Sequence, residues 1–485
     1  MHMSTWSVTM PPPASGTTPL FVQLAHGVMT EIRRGRLLPG QRLPGTRAWA
    51  KSLGINRNTV IAAVAELEAQ GWVHSTPIRG TWVRESLPVE PRSTRRPGLP
   101  ALGIPLEPLP AFLAPRAFRV SDEVLHLSAG TPDPRLFPVE LLARTWRRVV
   151  RRKGRHLLEY GDPAGHRSLR QALAGMLSDL RGIPATEDQL VITRGSQMAL
   201  DLLARAVVAP GETVAIESSG YRPAWDALRL IGARLAPIPV DAEGLDVDAL
   251  ARLVRRRQVR AVYVTPHHQY PTTVTMSASR RLALLELARR HQLLIIEDDY
   301  DHEFHYEGRP VLPLMASDDA GVVASVGTLS KVLAPGLRLG FVVAPTALAE
   351  RIARLRAVMD RQGDHPMEAT VAELIEEGEL QRHVRKMRVV YQARRDALAR
   401  QLTARLGDTL EFSIPPGGIS IWAKLRRPIH LDVWLARARA RGVSVMPGAT
   451  YCFDGHEPGA LRLVFARFTE AELTRAVELL RASHP

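Results

Sequence analysis

Apolar residues follow two different rhythms along this chain. From about residue 125 onward, short continuous apolar runs alternate with helix-patterned stretches. Leu190–Thr193, Thr213–Glu217, 261–265, 293–297 and 322–326 are such runs, and they read as strands buried on both faces. Between them lie stretches such as 279–291, whose apolar residues include Leu282, Leu285 and Leu287. Buried strands alternating with helices predict an α/β architecture with a mostly parallel sheet. Ligands of such folds sit at the carboxyl ends of the strands.

The N-terminal rhythm is helical and tightly punctuated. Residues 21–34 are amphipathic and run into Leu38-Pro39-Gly40-Gln41-Arg42-Leu43-Pro44, a turn rich in helix breakers. Thr46 is the expected cap of a helix reaching Leu53, with Gly54 closing it in the left-handed conformation. Asn56 then caps a second helix, with Val60, Val64 and Leu67 on one face and Gly71 as its stop. Trp72-Val73-His74 and Gly80-Thr81-Trp82-Val83 alternate like a hairpin. This is the pattern of a helix-turn-helix with a wing. Arg57, Asn58 and Thr59 are expected to face the major groove, with Arg47 and Lys51 reaching phosphates. A helical oligomerisation domain is the plainer reading of the same pattern.

Residues 85–119 carry eight prolines, from Pro88 to Pro115, and predict an extended linker. The expected division is 1–84, a linker over 85–122, and 123–485. Composition adds a charge argument. The chain has 485 residues and a net charge of +15, from 64 basic against 49 acidic residues. That excess favours an anionic partner, nucleic acid first. Clusters such as Arg147-Arg148 and Arg255-Arg256-Arg257 read equally well as solvated surface. Cys452 is the single cysteine, which excludes an intrachain disulfide and a Cys-rich zinc site. No apolar run approaches a membrane span, and the N-terminus lacks a secretory pattern. A soluble, cytoplasmic protein with no membrane contact is expected.

Lysine is scarce: Lys51, Lys153, Lys331, Lys386 and Lys424 are the only five. Lys331 follows an apolar strand, between Thr328, Ser330 and, seven residues on, Arg338. That setting suits an aldehyde cofactor bearing a phosphate, which an amine captures and hydroxyls and a guanidinium hold. Upstream, Ile295-Ile296-Glu297-Asp298-Asp299-Tyr300-Asp301 ends a strand in acids. One of them can pair with a pyridinium nitrogen; alternatively, Asp298, Asp299, Asp301 and His302 can hold a metal. Gly195-Ser196-Gln197 opens a helix whose amides would bind phosphate. Tyr221 is a stacking platform or a core residue. His267-His268 lacks a third ligand at suitable spacing, so no metal site is expected.

Pro39-Gly40-Gln41-Arg42-Leu43-Pro44, Arg47 and Leu53-Gly54-Ile55-Asn56-Arg57-Asn58-Thr59-Val60 resemble the winged helix-turn-helix of GntR-type regulators, over about residues 18–84. Gly45 stands where that family often has Ser, and Val64 where this branch often has Tyr. The Lys331 segment, Tyr160-Gly161-Asp162-Pro163-Ala164-Gly165 and Leu461-Arg462-Leu463 resemble a fold-type I pyridoxal-phosphate domain of the aspartate aminotransferase kind. That resemblance implies Lys331 as the Schiff-base lysine, Asp298 on the ring nitrogen and Tyr300 on the ring hydroxyl. It implies Ser196, Gln197, Thr328, Ser330 and Arg338 around the phosphate, and Tyr221 against the ring. Arg462 would bind an effector carboxylate, and Tyr160 would reach toward the partner subunit's site. Thr273 departs from the family's usual Gly, and Ser218-Ser219 from its acidic-Pro pair. Both domains in this order resemble the MocR-type regulators. A homodimer, arranged head to tail, is implied, binding a double-stranded DNA operator and responding to pyridoxal phosphate itself or to an amino compound. The rival is an active aminotransferase with an accessory DNA-binding domain; the resemblance implies sensing, with at most partial transamination. A third reading keeps the large domain only as a dimerisation scaffold.

Overall fold

Local capping signals shape the N-terminal part of the chain. In the computed structural model, which describes residues 19–77, 79–87, 103–113, 124–128, 130–308 and 311–485, two compact units separate at Pro108 and Leu109. The first contains α1 (Leu20–Arg33), α2 (Thr46–Leu53), α3 (Arg57–Ala69), β1 (Val73–Thr76) and β2 (Gly80–Val83). Gly54 closes α2 at φ 66°, a left-handed value that costs glycine little. Asn56 caps α3, its side chain accepting from the Asn58 amide at 2.8 Å. Thr46 is not the cap of α2. Gly45 occupies that position, and its carbonyl accepts the first helical hydrogen bond from Trp49. Thr46 Oγ1 accepts instead from Arg57 Nε at 3.5 Å. Val60, Val64 and Leu67 pack with Leu24, Val28 and Trp49 as one core. β1 and β2 pair antiparallel, Val73 opposite Val83, as the wing.

The second unit is organised on a seven-stranded sheet: β3 (Leu190–Thr193), β4 (Thr213–Glu217), β5 (Arg234–Ile238), β6 (Ala261–Val264), β7 (Leu294–Asp299), β8 (Val323–Thr328) and β9 (Gly340–Val343). The order is β3-β9-β8-β7-β6-β4-β5, and β9 alone runs against the rest. β3, β4, β6 and β8 are buried throughout, which explains their continuous apolar sequences. β7 and β8 each run two residues past the expected ends, so Asp298, Asp299 and Thr328 are strand residues. The acids stay in the ladder because each has buried partners, described below.

Five helices of this unit matter here: α4 (Val139–Lys153), α5 (Gly195–Val207), α6 (Ala278–His291), α7 (His365–Glu376) and α8 (Glu379–Leu406). α6 turns a different face inward than its leucines suggest. Arg281, Leu284 and Ala288 are buried, whereas Leu282 is 67% exposed. Arg281 is accommodated because its guanidinium donates to the Met276, Leu312 and Pro266 carbonyls. The arginine cluster on α4 is partly an internal device, since Arg148 and Arg152 pair with Glu373 of α7. A second, antiparallel sheet holds β10 (Leu410–Glu411), β11 (Ser420–Leu425) and β12 (Ala460–Val464). Among the described residues no helix is long and apolar enough to cross a membrane. Much of the expected linker, 88–102 and 114–122, lies outside the described residues; Ala111–Leu113 forms a single 3-10 turn.

Candidate functional site

The carboxyl ends of β6, β7 and β8 converge on one amine. Lys331 follows β8, and its Nζ donates to the Gly130 carbonyl at 2.5 Å. Burial lowers its pKa to about 8, aided by Arg462 and opposed by Asp301 and Asp298. On β7, Asp298 Oδ2 accepts from the Tyr263 hydroxyl of neighbouring β6 at 2.8 Å. Its Oδ1 is buried with no hydrogen-bond partner. Burial raises this carboxyl to about 7, and Asp299 adds to the rise. Successive strand residues point to opposite faces, and Asp299 meets a different environment. Against the cost of burial, His302 at 2.9 Å and Arg181 hold its carboxyl below the usual carboxylate range.

An aromatic group surrounds this amine-carboxyl pair. Tyr300 donates to the His268 carbonyl at 3.0 Å, and burial raises its pKa well above the ordinary tyrosine value. The Tyr270 ring contacts Tyr221, Tyr300 and Tyr451 edge-on, at 5.4, 6.1 and 5.6 Å between centroids. The Arg462 guanidinium, from β12, lies 4.6 Å from the centroid of Tyr270. Arg462 is 1% exposed, yet its Nε and Nη1 have no acceptor. A Cβ at Gly130 would come within 3.3 Å of both its terminal nitrogens, so glycine leaves that end open.

A second cluster lies at the start of α5. Gly195 opens the helix at φ 74°, and Ser196 is its next residue. Arg338, itself at φ 52°, donates to the Arg194 carbonyl at 2.8 Å; a Cβ on Gly195 would come within 3.2 Å of its Nη1. Thr328 lies opposite Gly340 in the ladder, and Gly340 touches Gly195 closely enough to exclude a side chain. Thr328 Oγ1 accepts from the Ser330 amide at 3.1 Å. Helix amides, hydroxyls and a guanidinium thus gather, a set suited to a phosphate. Gln197 turns elsewhere: its amide donates to the Pro223 carbonyl at 2.9 Å. Tyr160 is 79% exposed, under the Arg361 guanidinium at 4.7 Å, and has no described contact with the Lys331 group.

In the N-terminal unit, Arg47, Lys51, Arg57 and Asn58 are exposed and Thr59 is half-buried at the start of α3. The wing adds a feature that the helix pattern does not announce. Arg42 lies over the Trp82 ring at 5.5 Å, and Arg79 and Arg84 line a surface hollow with His74 and Trp82.

Residues 122–480 match the family of class I and II aminotransferases, and residues 21–83 the gntR family of bacterial regulatory proteins. Over 96% of its length the chain is 32% identical to the probable rhizopine catabolism regulatory protein MocR of Rhizobium meliloti, covering 94% of that protein. The chain belongs to the MocR family of regulators. A second relative, the pyridoxine biosynthesis transcriptional regulator PdxR of Corynebacterium glutamicum, is 28% identical over 94% of this chain and 96% of its own. The multiple substrate aminotransferase of Thermococcus profundus superposes with a TM-score of 0.70 at 32% identity, covering 75% of this chain and 92% of that one. This MocR-type chain is therefore a transcriptional regulator whose large unit has the aspartate aminotransferase fold.

Class I and II aminotransferases use pyridoxal phosphate, and the residues present fit it. Asp298 Oδ1 is a buried acceptor without a donor, as a pyridinium N–H requires. Glycine at 195 keeps the helix entrance beside Arg338 free of a side chain. Sequence reasoning passed over Tyr263, Tyr270, Tyr451 and Gly130. Tyr263 had one available signal: a tyrosine inside a buried strand needs a partner for its hydroxyl. Gly130 had none, since its contacts with Lys331 and Arg462 span hundreds of residues.

Proposed function

We propose that this MocR regulator holds pyridoxal phosphate at Lys331 and that amino compounds arriving there alter DNA binding by the N-terminal unit. The observation that carries the reading is the set of unsatisfied buried atoms, Asp298 Oδ1 and Arg462 Nε and Nη1, on two groups whose charges act on the Lys331 amine. Bound pyridoxal phosphate supplies an electrophilic aldehyde toward primary amines. Lys331, with its lowered pKa, is the nucleophile for that carbonyl at neutral pH. Asp298 holds a proton at the ring nitrogen, Tyr300 offers its hydroxyl to the ring oxygen, and Tyr221 covers the ring. Ser196, Thr328, Ser330, Arg338 and the amides of α5 bind the phosphate; Gln197, held by Pro223, acts by shaping that wall.

Arg462 receives the effector's carboxylate. Two buried guanidinium nitrogens without an acceptor are costly, and an anion between Arg462 and Lys331 removes that cost. The effector acts through its different affinity for two arrangements of the protein. By family kinship, the large units form a head-to-tail homodimer in the cytoplasm, with Tyr160 directed at the partner's site, and the paired winged domains read two operator half-sites. Arg57, Asn58 and Thr59 contact base edges, and Arg47 contacts phosphate.

The test is borohydride reduction of protein incubated with pyridoxal phosphate, followed by mass analysis. Wild type is expected to carry the cofactor's mass on Lys331, and Lys331→Ala to carry none while remaining folded. Sustained steady-state transamination with several amino donors would overturn the sensing role in favour of an enzyme.

A further inference from the structure

His267 and His268 lack a third ligand in the linear sequence, but the fold supplies one. His305, beyond the end of β7, comes alongside both. Ring nitrogens of His267, His268 and His305 all lie within 4.8 Å of one another. His267 and His268 are 3% and 2% exposed. Neither nitrogen of His267 nor of His305 has a hydrogen-bond partner. Buried polar atoms are normally satisfied, so this concentration of orphans requires an explanation.

The surroundings are those of a ligand shell. His268 Nδ1 pairs with Asp301 Oδ1 at 2.7 Å, leaving Nε2 as its free ring nitrogen. A carboxylate behind an imidazole fixes its tautomer and raises its basicity, as around metal-bound histidines. Space is left at that nitrogen because residue 417 is glycine; a Cβ there would fall 2.6 Å from His268 Nε2. His302 lies beside His267 with centroids 4.7 Å apart and the rings tilted by 37°, and it borders a cavity of about 210 Å³ together with Met176 and Arg388. That cavity reaches His302, the neighbour of the cluster.

We propose that His267, His268 and His305 bind a zinc ion, with Asp301 as the outer carboxylate orienting His268. Three imidazoles and one open position match zinc's four-coordinate preference, and all-nitrogen donors exclude magnesium and calcium. The ion ties the turn after β6 to the segment after β7. The same turn presents the His268 carbonyl to Tyr300, so the metal sets one wall of the pocket around Lys331. The site stands apart from the cofactor reading and does not depend on it.

The experiment is zinc titration of chelator-treated full-length protein against a chromophoric competitor, with cobalt as a spectroscopic substitute. One zinc per chain is expected, with an intense visible cobalt spectrum of a four-coordinate site. His267→Ala and His305→Gln should each weaken binding more than tenfold, and Asp301→Asn by roughly 10- to 100-fold. His456→Ala, at an exposed histidine, should leave it unchanged. The cobalt spectrum of the wild type keeps the question answerable even where a variant fails to fold. Absence of stoichiometric zinc, retention of full affinity in His305→Gln, or a weak six-coordinate cobalt spectrum would each overturn the site.

Discussion

Asp298→Asn separates what the site costs from what it does. In the cofactor-free protein the Asp298 carboxyl is raised from an ordinary 3.8 to about 7, first by burial and then by Asp299. A carboxyl whose folded pKa is raised contributes stability below its unfolded pKa, and loses it as pH rises toward the folded value. At about 1.4 kcal/mol per pH unit, the loss is on the order of 4 kcal/mol by pH 7 and constant above it. The amide variant has nearly the same shape and still accepts from Tyr263, but it does not ionise. Its stability relative to wild type should therefore rise between pH 4 and 7 by up to that amount, then level off. Denaturant unfolding of both cofactor-free proteins at pH 5 and pH 8 measures the difference. Pyridoxal phosphate should narrow it, because the ring nitrogen gives wild type the ion partner it lacks. A pH-independent difference, or equal stabilisation of both proteins by the cofactor, would refute the placement of Asp298.

Other expectations are more direct. The rate of pyridoxal phosphate capture should rise with pH and level off above about 8, since the neutral Lys331 amine is the reactive form. Stopped-flow absorbance over pH 6.5–9.5, at roughly half-unit steps around that midpoint, checks it. Arg57→Ala should cost about 1–3 kcal/mol on operator DNA and far less on random DNA. Arg47→Ala should weaken both alike and lower the salt slope by about 1, read from binding isotherms at several salt concentrations. Asp133, 3% exposed, accepts from Arg394 of α8 at 2.9 Å. Asp133→Ala leaves that buried cation unpaired and should cost about 3–5 kcal/mol, measurable by denaturation of the large unit.

The parts legible in the sequence are those set by neighbours in the chain. Gly54 and Asn56 announce the turn between α2 and α3, because left-handed glycine and an asparagine cap act within a few residues. Buried strands announce themselves by continuous apolar runs, and Lys331 by its flanking hydroxyls and the scarcity of lysine. What escaped depends on distance in sequence. The end of β7 extends into acids because Tyr263, His302 and Arg181 offer buried partners to Asp298 and Asp299. The inward position of Arg281 rests on three carbonyls from outside its helix. Thr273 holds φ 65°, unusual for a β-branched residue, where its amide meets the Gln269 carbonyl at 2.7 Å. The histidine cluster needs His305, 37 positions beyond His268, and no spacing rule reaches that far.

The central claim is that occupancy of the Lys331 site governs DNA binding, and fluorescence anisotropy on operator DNA tests it directly. The holo-protein is titrated with a panel of amino compounds, beside Lys331→Ala and Arg462→Met. A carboxylate-bearing amine should change the wild-type affinity by at least several-fold. It should leave both variants at their unliganded affinity. DNA affinity unmoved by pyridoxal phosphate and by every amine, or moved equally in Lys331→Ala, would contradict the account.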